Sequence, residues 1–397
     1  MAQGKQITVV VACVLLAGLG WKTLSYFLDS TPPEVQIAGI DAGNYYCGDV
    51  QCSVSTNKSG YLSVSLDGQP LLTHFKVKSG RENPFTIPTR TLANGQHALR
   101  LELVDATYHK NKSVLEQTFN ADNAALQAAF VKPDNDFKVF QGRTLRLQFQ
   151  VNKPIKEAKV QALSHTYECF PESKDSLVYE TLIPIECEEA PNEYLLSIQM
   201  TDYVGNMLNL DNKFQVVMYP FKQQRLQVSK DKLQEEKALG LAAAQEREKK
   251  FTELVQQSPK EKLWRGTFCM PIEGGRTTCE FGTVRTTQEK GRYMHKAVDL
   301  ANMPRAVVWA TQSGKVVLKD RFEDTGNTVV LDHGWGLFSF FYHLEDFGNI
   351  EVGQKVAQGN PLGTLGKTGY ATGYHLHWEM RKDNVAIDPM QWVKPTF

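Results

Sequence analysis

From Pro32 to about Asn120, apolar and polar positions alternate in short runs separated by turn residues. Gly60–Leu72 (GYLSVSLDGQPLL, with an Asp-Gly turn) and His97–Tyr108 (HALRLELVDATY) are examples. A period of two places every second side chain on one face of a strand, and such strands recurring every ~8–12 residues predict a β-sandwich. A second block with the same rhythm runs from about Ala129 to Pro220, through Thr144–Val151, Glu193–Asp202 and Phe214–Tyr219. Lys222 to Lys262 changes period. Seventeen of its 41 residues are charged, and Leu226, Leu233, Leu241, Phe251 and Leu254 leave only an imperfect apolar stripe, so a solvated helical linker is expected. Ser258-Pro-Lys-Glu261 reads as a fresh helix start, with a capping Ser, Pro in the first turn and Glu three residues on. The remainder returns to β patterning, in AVVWAT, KVVLK, TVVLD and LFSFFYHL.

The amino end fixes the expected compartment. Ile7 to Trp21 is a run of fifteen uncharged, mostly apolar residues preceded by Lys5; extended to Leu28 it reaches 22 residues, close to the ~20 that cross a bilayer. No small-residue cleavage site follows. Residues 1–29 are therefore expected to be an uncleaved inner-membrane anchor, with a cleaved signal peptide as the alternative, and the rest of the chain to be exported to the periplasmic side of the envelope. Six further cysteines fall into the close pairs Cys47/Cys52, Cys169/Cys187 and Cys269/Cys279, with no C-x-x-C spacing, so three local disulfides are expected.

Over 397 residues, Lys+Arg and Asp+Glu stand at 44 each and hydrophobic residues at 42%, which excludes a disordered or polytopic membrane chain and disfavours a nucleic-acid binder. Gln199-Met-Thr-Asp-Tyr-Val-Gly-Asn206 resembles the D-x-x-G-N turn near the end of bacterial immunoglobulin-like domains. The expected architecture is mainly β: Ig-like β-sandwiches over 30–122 and 123–220, a helical linker over 221–262 and a C-terminal antiparallel β-sheet domain over 263–397.

Five of the nine histidines lie in the last 103 residues. His375 and His377 are two apart, so on a strand they share a face, and two adjacent buried imidazoles without partners are costly. That is a reason to suspect a metal: two imidazoles plus one carboxylate with an open fourth position is the pattern of a catalytic zinc, and His295-Lys-Ala-Val-Asp299 and Phe341-Tyr-His343-Leu344 are the other histidine clusters of this region. His333 stands outside these clusters and reads as structural. Glu379, two after His377, reads as an ordinary strand residue. His74, His97, His109 and His165 are scattered, without carboxylates at useful spacing.

Gly366-Lys-Thr-Gly-Tyr-Ala-Thr-Gly-Tyr-His-Leu-His377 resembles the signature G-x-T-G-x-x-T-G-x-H-L-H of the lysostaphin/LytM-type zinc endopeptidases. His295 to Asp299 is similar to that family's H-x-G-x-D, with Ala297 in place of Gly. Tyr342-His343-Leu344 is similar to its H-L element, with the tyrosine moved one position and hence expected on the opposite strand face. Val330-Leu-Asp-His-Gly-Trp-Gly336 and Asp388-Pro389 also match. The resemblance implies one zinc per chain on His295, Asp299 and His377, an unligated catalytic pair His343 and His375, and peptide bonds of peptidoglycan as substrate. Two rivals remain. One is a non-catalytic LytM-like regulator that activates a cell-wall amidase, for which the Ig-like modules or the helical segment would bind the partner; the other is an adhesion or scaffolding protein. Members of the regulatory kind have lost zinc ligands, whereas all five key residues are present here.

Overall fold

The computed structural model describes residues 23–132, 137–225, 230–287 and 291–395. The apolar run Ile7–Trp21 lies outside them. Among the described residues no helix is long and apolar enough to cross a membrane. The chain is mainly β and divides into two compact units, residues up to Leu126 together with Thr201–Asn206, and Gln127–Met200 together with Met207 onward.

In the first unit a five-stranded sheet (Tyr45–Tyr46, Lys112–Ala121, Gly95–Asp105, Gly60–Leu66 and Gln69–Val77, in that order) and a three-stranded sheet (Val35–Ala38, Val50–Thr56, Asn83–Ile87) form the expected sandwich. Alternation does the work: Leu99, Leu101 and Leu103 point inward from one strand and meet Leu62, Val64, Val54, Ile87 and Phe119. The Asp67-Gly68 turn closes its hairpin with both residues at positive φ, +51° and +79°, as a two-residue loop matching strand twist requires. The Asp202 carboxylate accepts the N–H groups of Val204 and Asn206, which builds the D-x-x-G-N turn anticipated above.

The second unit departs from the expected boundaries. Its β-module has a five-stranded sheet, from Lys138–Phe140 through Met207–Val217, Glu193–Asp202 and Ile155–Ala162 to His165–Glu168, and a four-stranded sheet containing Thr144–Val151 and Val178–Pro184. Rather than standing apart, this module shares its core with the C-terminal domain: Leu182 and Cys187 belong to one apolar cluster with Trp264, Phe268, Val298 and Trp378. Gln391 also donates to Thr144 O and accepts from Thr144 N, both at 2.8 Å.

The charged segment also differs from a solvated linker. Gln223–Arg225 adds a parallel strand to Thr283–Thr287, and Lys230–Gln256 is a 27-residue helix. Its last turns are docked, because Phe251 is fully buried among Phe338, Phe340, Tyr342, Leu318 and Val330. Ser258 starts no helix; its hydroxyl bridges Asp332 Oδ1 at 2.7 Å and Gly336 N at 3.0 Å. All six described cysteines are free thiols, which corrects the three expected disulfides. Cys269 Sγ turns to Ala310 O at 3.6 Å, whereas Cys279 Sγ lies with the ligand atoms of His295 and Asp299, all within 4.8 Å of one another.

The C-terminal domain is built on a ten-stranded sheet whose centre runs Val298–Ala301, Leu376–Lys382, Leu337–Phe347, Gly326–Asp332 and Gly314–Phe322. Trp378 and Met380 face the large core from one side of Leu376–Lys382. The alternate residues His377, Glu379 and Arg381 share the other side.

Candidate metal centre

Antiparallel register brings the sequence-distant candidate ligands together. Asp299 pairs with His377 across Val298–Ala301 and Leu376–Lys382, and His295 ends the neighbouring strand Gly291–His295. Three atoms converge: His295 Nε2 lies 3.1 Å from Asp299 Oδ1 and 3.2 Å from His377 Nδ1, and His377 Nδ1 lies 3.0 Å from the same Oδ1. Two ring nitrogens and a carboxylate oxygen cannot all satisfy one another at that separation with the protons available. Their spacing matches three corners of a zinc tetrahedron, whose edge is ~3.3 Å for bond lengths of ~2.0–2.1 Å. The residues fit the ion. Burial works against the charge of Asp299, yet hydrogen bonds from His295 and His377 hold its carboxyl well below the usual carboxylate range, so it is ready to ligate. Ala297 is fully buried and is absent from the left-handed residues, so its methyl is accommodated without backbone strain.

His343 and His375 stand beside this triangle without completing it. Their rings are 4.9 Å apart, and His375 Nε2 is 3.9 Å from Asp299 Oδ1. His375 lies just before the strand, which starts at Leu376, rather than within it. Each ring has its Nδ1 on a carbonyl, His343 on Thr368 O at 2.8 Å and His375 on Gly373 O at 2.9 Å. A carbonyl only accepts, so Nδ1 carries the proton in both and Nε2 presents a lone pair. Burial, then the nearby His377 and His375 rings, push His343 down to about 3, and it is neutral at pH 7.

Two contacts were not expected from the sequence. His343 has φ +62°, and the register slips between it and its neighbours, a bulge that cancels the alternation of faces. Tyr342 therefore stays beside the site, stacked on His377 with ring centres 5.0 Å apart and planes at 9°. Glu379 is not an idle strand residue. It is buried, accepts from Tyr342 OH at 3.0 Å and from Arg381 Nε at 2.5 Å, and lies 4.0 Å from His377 Nε2. The signal available was its i+2 position on the face of a candidate ligand.

His333, read as structural, is fully buried 2.8 Å from both Ser313 O and Ser339 Oγ. It touches none of these groups.

Comparison with known proteins locates the likeness on this domain. Residues 293–389 match Peptidase family M23. The DD-carboxypeptidase/endopeptidase Mpg of Neisseria meningitidis is 32% identical over 103 residues, 26% of this chain and 24% of that protein. The murein hydrolase activator EnvC of Escherichia coli is 26% identical over 190 residues, 42% of this chain and 45% of that one. Among solved structures, the catalytic domain of the antimicrobial peptidase lysostaphin from Staphylococcus simulans is 26% identical, with 36% of this chain and 96% of that one covered at a TM-score of 0.24. The chain spans about a quarter of the length of the first curated relatives it matches. Residues 293–389, which include all five candidate residues, are a Peptidase family M23 domain.

Proposed function

We propose that the chain is an exported zinc metalloendopeptidase that hydrolyses peptide bonds in the stems or cross-links of peptidoglycan. The single observation that carries this reading is the convergence of His295 Nε2, Asp299 Oδ1 and His377 Nδ1 within 3.2 Å of one another. These three residues would hold the ion. When bound, zinc supplies a Lewis acid and a water acidified to a pKa of ~7.

The protein's own part falls to the histidine pair. With Nδ1–H tied to a carbonyl, each ring keeps its orientation and offers Nε2 as a proton acceptor. Once protonated, the same Nε2–H can donate to a developing oxyanion or return the proton to the leaving amine. The His375 and His377 rings are only partly exposed, which limits water around the reacting bond. Export and attachment to the inner membrane rest on Lys5 and the Ile7–Trp21 run.

The regulator reading draws support from one observation, the longer match to the EnvC activator. A regulator has no use for three convergent donor atoms flanked by two tautomer-fixed histidines, and that favours the enzyme. The test is to incubate the purified chain with sacculi, with chelator or with added zinc, and to identify released fragments by mass spectrometry. The enzyme releases peptides cut within stems or cross-links, chelator stops it, and zinc restores it. No release from a zinc-loaded chain, alongside stimulation of an added amidase, would establish the regulator instead.

A further inference from the structure

The helix Lys230–Gln256 touches the metal centre through two chains of contacts. The first is ionic. Glu248 holds Arg381 bidentately, at 2.7 Å to Nη1 and 3.2 Å to Nη2; Arg381 Nε then donates to Glu379 Oε1, and the second oxygen of Glu379 faces His377 Nε2 and accepts from Tyr342 OH. The second is a column of rings. Phe251 lies parallel to Tyr342 (15°, 6.3 Å), and Tyr342 lies parallel to His377 (9°, 5.0 Å). Both chains end on the same imidazole, the one whose Nδ1 belongs to the donor triangle. A histidine that ligates through Nδ1 carries its proton on Nε2, and the acceptor of that proton sets the ring's orientation and basicity. Glu379 is the carboxylate that faces that nitrogen, 4.0 Å away and without a direct hydrogen bond, and its own orientation is held by a guanidinium that the helix grips.

We propose that the last turns of this helix are a positioning element of the metal centre: Glu248 acting through Arg381 and Glu379, and Phe251 acting through Tyr342, fix the His377 ring in its ligating pose, so that zinc affinity depends on the helix remaining docked. This rests on the zinc reading given above. Glu248, Arg381 and Phe251 touch no reacting atom; they are positioning residues. Lys250 is on the same helix but pairs with Asp320 at 2.6 Å, outside both chains of contact, and serves as the control.

The experiment measures zinc affinity of the full chain by competition with a chromophoric chelator, and the absorption of its Co2+-substituted form, for wild type, Glu248→Gln, Phe251→Leu and Lys250→Ala. Outer-shell partners of ligating histidines are worth ~10–100-fold in metal affinity. Glu248→Gln and Phe251→Leu are expected to weaken zinc binding about tenfold and to alter the cobalt ligand-field bands, while Lys250→Ala leaves both as in wild type. Glu248 is partly exposed, so its isosteric replacement keeps the fold even if Phe251→Leu does not. Affinities within twofold of wild type and unchanged cobalt spectra in Glu248→Gln, with or without a lower melting temperature, would overturn the positioning role. A wild type that binds neither ion would instead remove the zinc reading on which it rests.

Discussion

The C-terminal domain buries two histidine clusters, and they are satisfied in opposite ways. Around His333 each ring nitrogen has one neutral oxygen at 2.8 Å, Ser313 O on one side and Ser339 Oγ on the other. Burial then pushes the ring down to about 4 and it remains a neutral strut. Around His377 the nitrogens face another imidazole and two carboxylates, too many lone pairs for the protons present. A histidine whose partners are matched one to one is neutral packing, and one on which donor atoms converge is a candidate ligand. Burial alone does not separate the two, since His295 and His343 are buried as well.

That contrast can be broken most severely at the triangle itself. His377→Ala removes one of three donors and no spare imidazole stands in its place, so zinc content is expected to fall from about one per chain to near zero. Elemental analysis after dialysis checks it, and retention of a full equivalent of zinc would put the ion elsewhere.

The next effect separates holding the ion from doing chemistry. His343→Ala and His375→Ala are expected to keep zinc at wild-type content and to lose ~100–1000-fold in turnover, the usual effect of removing one transition-state donor or base. Metal and activity measured on one preparation decide the matter. Parallel loss of both in His375→Ala would make it a ligand.

The other cluster responds to pH. The folded value for His333, about 4, lies below the ordinary 6.5, so between these values the native state binds fewer protons than the unfolded chain. Stability contributed by the neutral ring is therefore complete above pH 6.5 and is lost as pH falls towards 4, by about 3 kcal/mol at ~1.4 kcal/mol per unit. Urea unfolding from pH 7 to 4 should show that dependence reduced by about one proton in His333→Gln. An unchanged slope would mean that the ring is solvated in the native state.

The five candidate residues, which the fold brings together, could be picked out because their spacing is local: the H-x-x-x-D and H-x-H spacings survive in any strand, and the glycine-rich run between them is specific. The sandwich of the first unit was legible for a similar reason, since period-two alternation at Leu99, Leu101 and Leu103 is a direct image of burial. What stayed hidden depends on tertiary partners. Phe251 sits in a helix too polar to advertise a docked face, and only the apolar strip of Phe338, Phe340 and Tyr342 on a distant strand explains its burial. The face of Tyr342 was misjudged because one residue at positive φ shifts the pleat by a step. The fusion of the second β-module to the C-terminal domain rests on Leu182 and Cys187, which carry no local mark of it.

Cys279 gives the smallest and most discriminating effect. Its sulfur lies with the ligand atoms of His295 and Asp299, all within 4.8 Å of one another, and His295 Nε2, Asp299 Oδ1 and His377 Nδ1 sit within 3.2 Å. The separations of the second set match the edges of a zinc tetrahedron. Cys279 also pairs with Asp299 across antiparallel strands, and His295 Nδ1 is buried without a hydrogen-bond partner among the described residues. The role expected of the neighbouring thiol is to flank the ring rather than to ligate. Cys279→Ala is expected to keep about one zinc per chain and to weaken its affinity by about tenfold or less, the lower end for an outer-shell partner. Chelator competition on Cys279→Ala and His377→Ala side by side checks the order. If the cysteine variant empties the site and the histidine variant keeps its zinc, the ion belongs to Cys279, His295 and Asp299, and His377 joins His333 as packing.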